Sequence, residues 1–240
     1  DDEGRAALEL PRVEATLSWR SAALLQINFH SLDIYRPLLT MRRDSRGGLT
    51  VAGIPLKLEE QTEGAVSRWL LGQRDIQIHD ARLLWNDEMR AAPVLELDQV
   101  QLRIVNSGDR HRLALRALPP AALASPLDVR ADLRGEDFQS LAEKITGQVF
   151  VQLDHVDIAA WRQWVDFPVH FPHGTGALRA WFSFTGNELT GVIADTQLRD
   201  VRARLGAELP ELDMQQLGGR FGWKRLADGF EVTTRKLAFT

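Results

Sequence analysis

Hydrophobic and polar residues alternate one for one through much of this chain. A period of two marks half-buried β-strands, because successive side chains on a strand point to opposite faces. The cleanest stretch is Leu127-Asp128-Val129-Arg130-Ala131-Asp132-Leu133-Arg134: every second residue is apolar and every residue between is charged. Leu113, Leu115 and Ala117 alternate with Arg112, Ala114 and Arg116. Leu178, Ala180, Phe182 and Phe184 alternate with Arg179, Trp181, Ser183 and Thr185. Strands with one wet and one dry face favour antiparallel pairing over a parallel sheet covered on both sides.

A second pattern recurs, apolar-x-apolar-x-x-apolar-x-apolar. It occupies residues 27–34, 76–83, 95–102 and 151–158, with a weaker copy at 196–203. The apolar phase slips by one residue at each centre. Such a slip turns every later side chain to the other face unless a β-bulge or sharp bend absorbs it. The His, Asp, Ser and Gln found there suit a local kink. The copies are irregularly spaced, which excludes a fixed-period solenoid or propeller.

Helical signals are few and short. Residues 64–72 place Ala65 and Trp69 on one side. Residues 137–146 have Asp137 as N-cap and Phe138, Leu141, Ala142 and Ile145 at helical spacing. Residues 157–165 have Asp157 as N-cap and a stripe of Ile158, Trp161 and Val165. Each can cover a sheet edge and none can form a layer. Loops are expected at 42–48, 106–110, 118–126, 167–176 and 217–222, with Gly47-Gly48 and Gly218-Gly219 as turn residues. The polar stretch 59–63 is a flexible connection. No composition break separates two domains. The 240 residues form one unit, with a loose subdivision near 59–64 as its only candidate boundary.

Composition narrows the function. The chain has 44% hydrophobic residues, which excludes wholesale disorder, and no cysteine, which excludes disulfides, thiolate zinc sites and a cysteine nucleophile. A net charge of -4 gives no reason to expect nucleic-acid binding. The opening Asp1-Asp2-Glu3-Gly4 has neither an initiator Met nor a leader pattern, so the chain is expected to be a processed form or a segment of something longer. No run approaches the roughly 20 apolar residues of a membrane span.

Catalytic signatures are missing. There is no phosphate-binding glycine loop, nucleophile elbow or HExxH. His170 and His173, near Asp166 and His155, could suggest a metal, but an extended i,i+3 pair points to opposite faces. Carboxylates such as Asp128 and Asp132 occupy wet strand positions, which suits solvation better than glycoside chemistry. Seven Trp against one Tyr has two readings: core and edge packing, or an apolar ligand surface.

The order of elements resembles the amino-terminal part of the large AsmA-like proteins of the YhdP type. The resemblance runs from about Val13 to Leu205. It includes Leu32-Asp33-Ile34-Tyr35-Arg36-Pro37, Trp69 before Asp75-Ile76-Gln77-Ile78-His79-Asp80, Asn106-Ser107-Gly108-Asp109-Arg110, the "DLRG" strand ending at Gly135, and the stretches 147–158 and 176–204. It implies a periplasmic, bridge-like lipid-transfer protein of the Gram-negative envelope, built from repeating β-groove units and held in the inner membrane by a helix absent from this chain.

The expected fold is therefore mainly β: a curved, twisted antiparallel sheet, groove-like, with a few short edge helices. The expected function is non-enzymatic, with no cofactor and no metal. Leu113, Leu115, Leu127, Val129, Leu133, Val149, Val151, Leu178, Phe182 and Phe184 are the candidates to line a groove for phospholipid acyl chains. Envelope protein partners are expected and nucleic acid is not. The alternatives are a structural scaffold or interaction module with a closed core and, third, a carbohydrate-active enzyme on a β-sandwich.

Overall fold

The structure, a computed structural model, describes residues 8–17, 29–55, 72–135, 146–165, 170–186, 188–204, 208 and 210–240. Two predicted helices, 64–72 and 137–146, fall almost wholly outside the described residues, as do the 59–63 connection and Trp19 and Trp69.

Fifteen strands form one large, open, curved sheet. They are β1 (Leu8–Glu9), β2 (Arg12–Leu17), β3 (Phe29–Tyr35), β4 (Leu38–Arg43), β5 (Leu49–Val51), β6 (Ile54–Pro55), β7 (Asp75–Asp87), β8 (Leu95–Ser107), β9 (Arg110–Leu118), β10 (Leu127–Arg134), β11 (Thr146–Asp157), β12 (His170–Thr185), β13 (Glu188–Arg204), β14 (Leu212–Leu226) and β15 (Gly229–Phe239). From β7 to β15 the order in the sheet is the order in the chain, and every neighbour is antiparallel. At the other side β3 and β4 both run parallel to β7. Together they make one interrupted strand, bent at Arg36 (φ 51°), whose two halves pair with the two halves of β7. Parallel neighbours need a long crossover, and the chain between β4 and β7 supplies it.

The phase slips are absorbed where the alternation predicts. Register shifts by one residue at His30 in β3, between Ile78 and Ala81 in β7, between Asp98 and Gln101 in β8, and between Leu153 and Val156 in β11. It shifts again between Arg199 and Arg202 in β13. Asp80, Gln99 and Asp200 take left-handed φ values of 55°, 49° and 51° at three of these points. The short side chain of Asp80 and Asp200 tolerates that region better than the Val and Ile around it, and the unbranched Cβ of Gln99 is also less crowded there than theirs. The bulges in β7, β8, β11 and β13 keep the same face dry on both sides of the kink, and they bend the strands.

Two expected loops are strand instead. His170 to Gly176 belongs to β12 and Leu217 to Gly222 to β14, so Gly218-Gly219 is not a turn. Glycine serves these strands by letting backbones approach. At Gly176 (φ 152°) a Cβ would lie 2.0 Å from the Gln197 carbonyl oxygen.

The buried core sits at the bulged end of the strands, on the dry face. One cluster gathers Leu153, Val156, Ile158, Leu198 and Val201; the other gathers Ala81, Leu95, Leu97, Val100, Ala117 and Leu123. The predicted 157–165 helix forms as a single turn, α1 (Ile158–Trp161), with the Asp157 carboxylate accepting from the Ala160 N–H at 3.1 Å. Trp161 packs against both clusters and donates its indole N–H to the Leu123 carbonyl at 3.2 Å. Trp164 donates to the Pro93 carbonyl at 2.9 Å. At the opposite strand end the dry face carries a buried polar network. Asn106 donates to the Gln73 carbonyl, and His111 bridges Asn106 Oδ1 (2.7 Å) and the Gly135 carbonyl (2.8 Å).

The wet face is laced by cross-strand ion pairs, among them Arg103–Asp75, Arg110–Asp132, Arg116–Asp128 and Arg220–Asp195. Hydrogen bonds from Arg130 and Arg116 hold Asp128 below the usual carboxylate pKa, against burial; Arg110 and Arg220 do the same for Asp132 and Asp195. Asp87 is fully buried. Burial pushes its pKa up, but the Arg43 fork and the Arg90 N–H more than offset this, leaving the net shift downward. A native pKa below the unfolded value stabilises the fold above the unfolded pKa, about 3.9 for Asp, and the benefit is lost as pH falls through the native value. Thermal midpoints are therefore expected to be flat above about pH 5 and to fall steeply below about pH 4. Asp87→Asn should remove part of that acid dependence while lowering the neutral-pH midpoint, as acid titration of both proteins by circular dichroism would record. An unchanged acid profile in the variant would assign Asp87 no part in it.

Candidate functional site: the dry face of β9 to β12

Residues directly opposite across a ladder share a face. Leu115, Val129, Val151 and Ala180 form one such row; Leu113, Ala131, Val149 and Phe182 form the next. Leu133, Gly147 and Phe184 form a third, and Leu127 and Leu178 lie on the same face towards the bulges. All ten sequence candidates thus stand on one face of four adjacent strands. The rows run on through Leu102 and Ile104 on one side, and through Val192, Trp223 and Phe221 on the other.

Their burial divides this face in two. Leu127 and Leu178 pack against one buried cluster and Leu115 against the other. The other seven, Leu113, Val129, Leu133, Val149, Val151, Phe182 and Phe184, belong to neither cluster, and all ten are only half-buried. Among the described residues all named strands belong to the one sheet, so no second sheet lies over them. The result is an apolar field between a closed hydrophobic end and a polar network.

The tryptophans sort by face. Trp85, Trp161 and Trp164 pack against the core at the bulged end, and Trp223 stands in a dry-face row opposite Val192. Trp181 lies on the wet face, 5.0 Å from Phe150 between ring centroids, with the Arg220 guanidinium 5.9 Å from its centre. Core packing and surface placement thus both occur.

The chemistry of the site is that of shape and solvation. His155 and His173 are exposed, and among the described residues no group of three or more His, Asp or Glu side chains is placed to hold a metal. Among the described residues the four carboxylates with shifted pKa values, Asp87, Asp128, Asp132 and Asp195, all shift downward, towards the ionised state of ion-pair partners. No helix of the described residues is long and apolar enough to cross a membrane.

Sequence reasoning missed one feature of the wet face. Ala177, Gln197, Gly218 and Ala238 form a cross-strand row, and the small residues Ala177, Gly218 and Ala238 in it floor a furrow. Its signal was present in Gly218-Gly219, but its significance depends on four strands being in register.

No curated protein and no solved structure gives a significant match to the chain. The profile of the YhdP protein family matches residues 1–240. That span takes in every bulged strand and the whole apolar field, and by it the chain belongs to the YhdP family.

Proposed function

We propose that this chain is a non-enzymatic segment of a periplasmic, bridge-like lipid-transfer protein, and that the dry face of β9 to β12 carries phospholipid acyl chains between inner and outer membranes. The observation that carries the proposal is the half-burial of all ten aligned apolar positions on a face over which, among the described residues, no second sheet lies. Family membership supports it. An acyl chain laid there gains about 0.8 kcal/mol for each CH₂ removed from water, so it needs no charged contact. A transfer path works best with many weak, equivalent contacts, and rows of Leu, Val and Phe provide them.

A photo-crosslinking amino acid at Phe182 tests the path. In cells it is expected to label phospholipid, whereas the same group at Ala114, on the opposite face of β9, is expected to label little. Equal labelling at both positions, or none at Phe182, would sink the proposal.

A second reading, a scaffold with a closed core, has its own support at the bulged end, where Val201 and Leu198 are 0% and 3% exposed. That end is sealed by protein, and the two readings differ over the field beyond it.

A further inference from the structure

The wet face carries a second feature, opposite the apolar field and independent of it. Several cations of this face are taken by a carboxylate across a ladder, as Arg103 is by Asp75 and Arg116 by Asp128. On β12 to β15 cations outnumber carboxylates around one depression. The row Arg179–Asp195–Arg220–Arg235 holds three guanidinium groups and one carboxylate, and Arg220 donates to that carboxylate from Nε and Nη2, at 2.6 and 2.7 Å. Among the described residues no ion pair joins Arg179, Arg235, Lys236 or, across the furrow, Arg199 to a carboxylate; Arg179 stands opposite Asp195 and acts on it through its charge alone.

These four cations surround one depression. Its floor is the small-residue row Ala177, Gly218 and Ala238, with Gln197 between. One part, about 700 Å³, is walled by Arg179, Arg220, Arg235 and Lys236. The adjoining part, about 500 Å³, shares that floor and adds Arg199 and Asp154. The larger part sets four cations against the single carboxylate Asp195, in a chain of net charge -4. Small-molecule sites commonly measure about 300–1,000 Å³, so the space suits a phosphorylated sugar or a lipid headgroup better than a bare ion.

We propose that this furrow binds a phosphate-bearing ligand, with Arg179, Arg199, Arg235 and Lys236 as its cationic contacts. The planar guanidinium fork matches phosphate oxygens two at a time, and several forks around one depression suit a dianion better than a single carboxylate. Ala177 and Gly218 leave room for a tetrahedral group to approach the sheet. A lipid headgroup and a soluble phosphosugar share this chemistry.

The test uses two probes on the intact chain: glycerol 3-phosphate by titration calorimetry, and phosphatidylcholine vesicles with or without phosphatidylglycerol by co-sedimentation. The double variant Arg179→Gln/Arg235→Gln is expected to weaken binding at least about tenfold, as loss of charge-assisted hydrogen bonds would. The control Arg112→Gln/Arg134→Gln removes two cations from the same face of β9 and β10 and is expected to leave binding unchanged. Thermal melts check that each variant folds. Vesicle binding competed by glycerol 3-phosphate would identify a headgroup site, and binding of the soluble probe alone would identify a phosphosugar site. Failure of both probes to bind, or equal losses in furrow and control variants, would overturn the proposal. Because the furrow lies on the face opposite Phe182, that outcome would leave the lipid-path experiment untouched.

Discussion

Val201→Asp is expected to abolish cooperative folding. Val201 is 0% exposed and packs among Leu198, Val156 and Leu153 beyond the β13 bulge. The substitution removes apolar burial that stabilises by about 1.5–3 kcal/mol and puts a carboxylate into an apolar cluster. Either the ion is desolvated or the group folds only as the neutral acid, and both are costly. A total loss of at least about 4 kcal/mol consumes most of the stability of an ordinary domain. Far-UV circular dichroism during heating would show it as a lost transition. A midpoint within about 5 °C of the parent would contradict the assignment of this cluster as a sealed core.

The same substitution in the middle of the apolar field should act on function instead. Val151 is half-buried, opposite Val129 and Ala180. Its carboxylate can reach water in Val151→Asp when no lipid is present, so the chain should fold with a midpoint only modestly lowered. A passing acyl chain, however, would have to cover a charge. Phospholipid retained by the purified protein, counted by native mass spectrometry, is expected to fall at least about tenfold, the equivalent of roughly 1.4 kcal/mol. If Val151→Asp unfolds as Val201→Asp does, the field is a closed core and the scaffold reading wins. If it folds and keeps its lipid, the path lies elsewhere.

The contrast between these two valines also marks how far the sequence could be read. Both sit at apolar positions of bulged patterns, and the alternation assigned both to a dry face. It could do so because the pleat has a rigid period of two, which makes a phase slip as readable as the alternation itself. The slips at His79-Asp80, Asp98-Gln99 and Asp154-His155 were legible for this reason, and the register shifts fall there. Burial was not legible. Whether a second layer covers Val151 depends on residues distant in the chain, and a local pattern contains no term for them.

Two other features stayed hidden for related physical reasons. The parallel seam of β3 and β4 against β7 leaves no local mark, because strand direction is set by the crossover and not by the residues that pair. His170 to Gly176 has the proline and the two glycines of a loop, yet it forms strand, and Gly176 admits the β13 backbone close to its own. The phosphate furrow required Ala177, Gly218 and Ala238 to be brought side by side, a coincidence visible only once four strands are in register.

The strand order has a consequence for how such a sheet is assembled. From β7 to β15 each strand finds its partner in the strand made just before it. The loops to be closed are short, so the entropy of closure is modest and the contacts are local in sequence. Each new hairpin can dock on the growing edge as synthesis proceeds, without reopening what is already paired. The seam with β3 and β4 is the exception, since it must wait for its crossover. A ribbon that zips in chain order can be made long at little kinetic cost, because adding a strand slows none of the pairings before it.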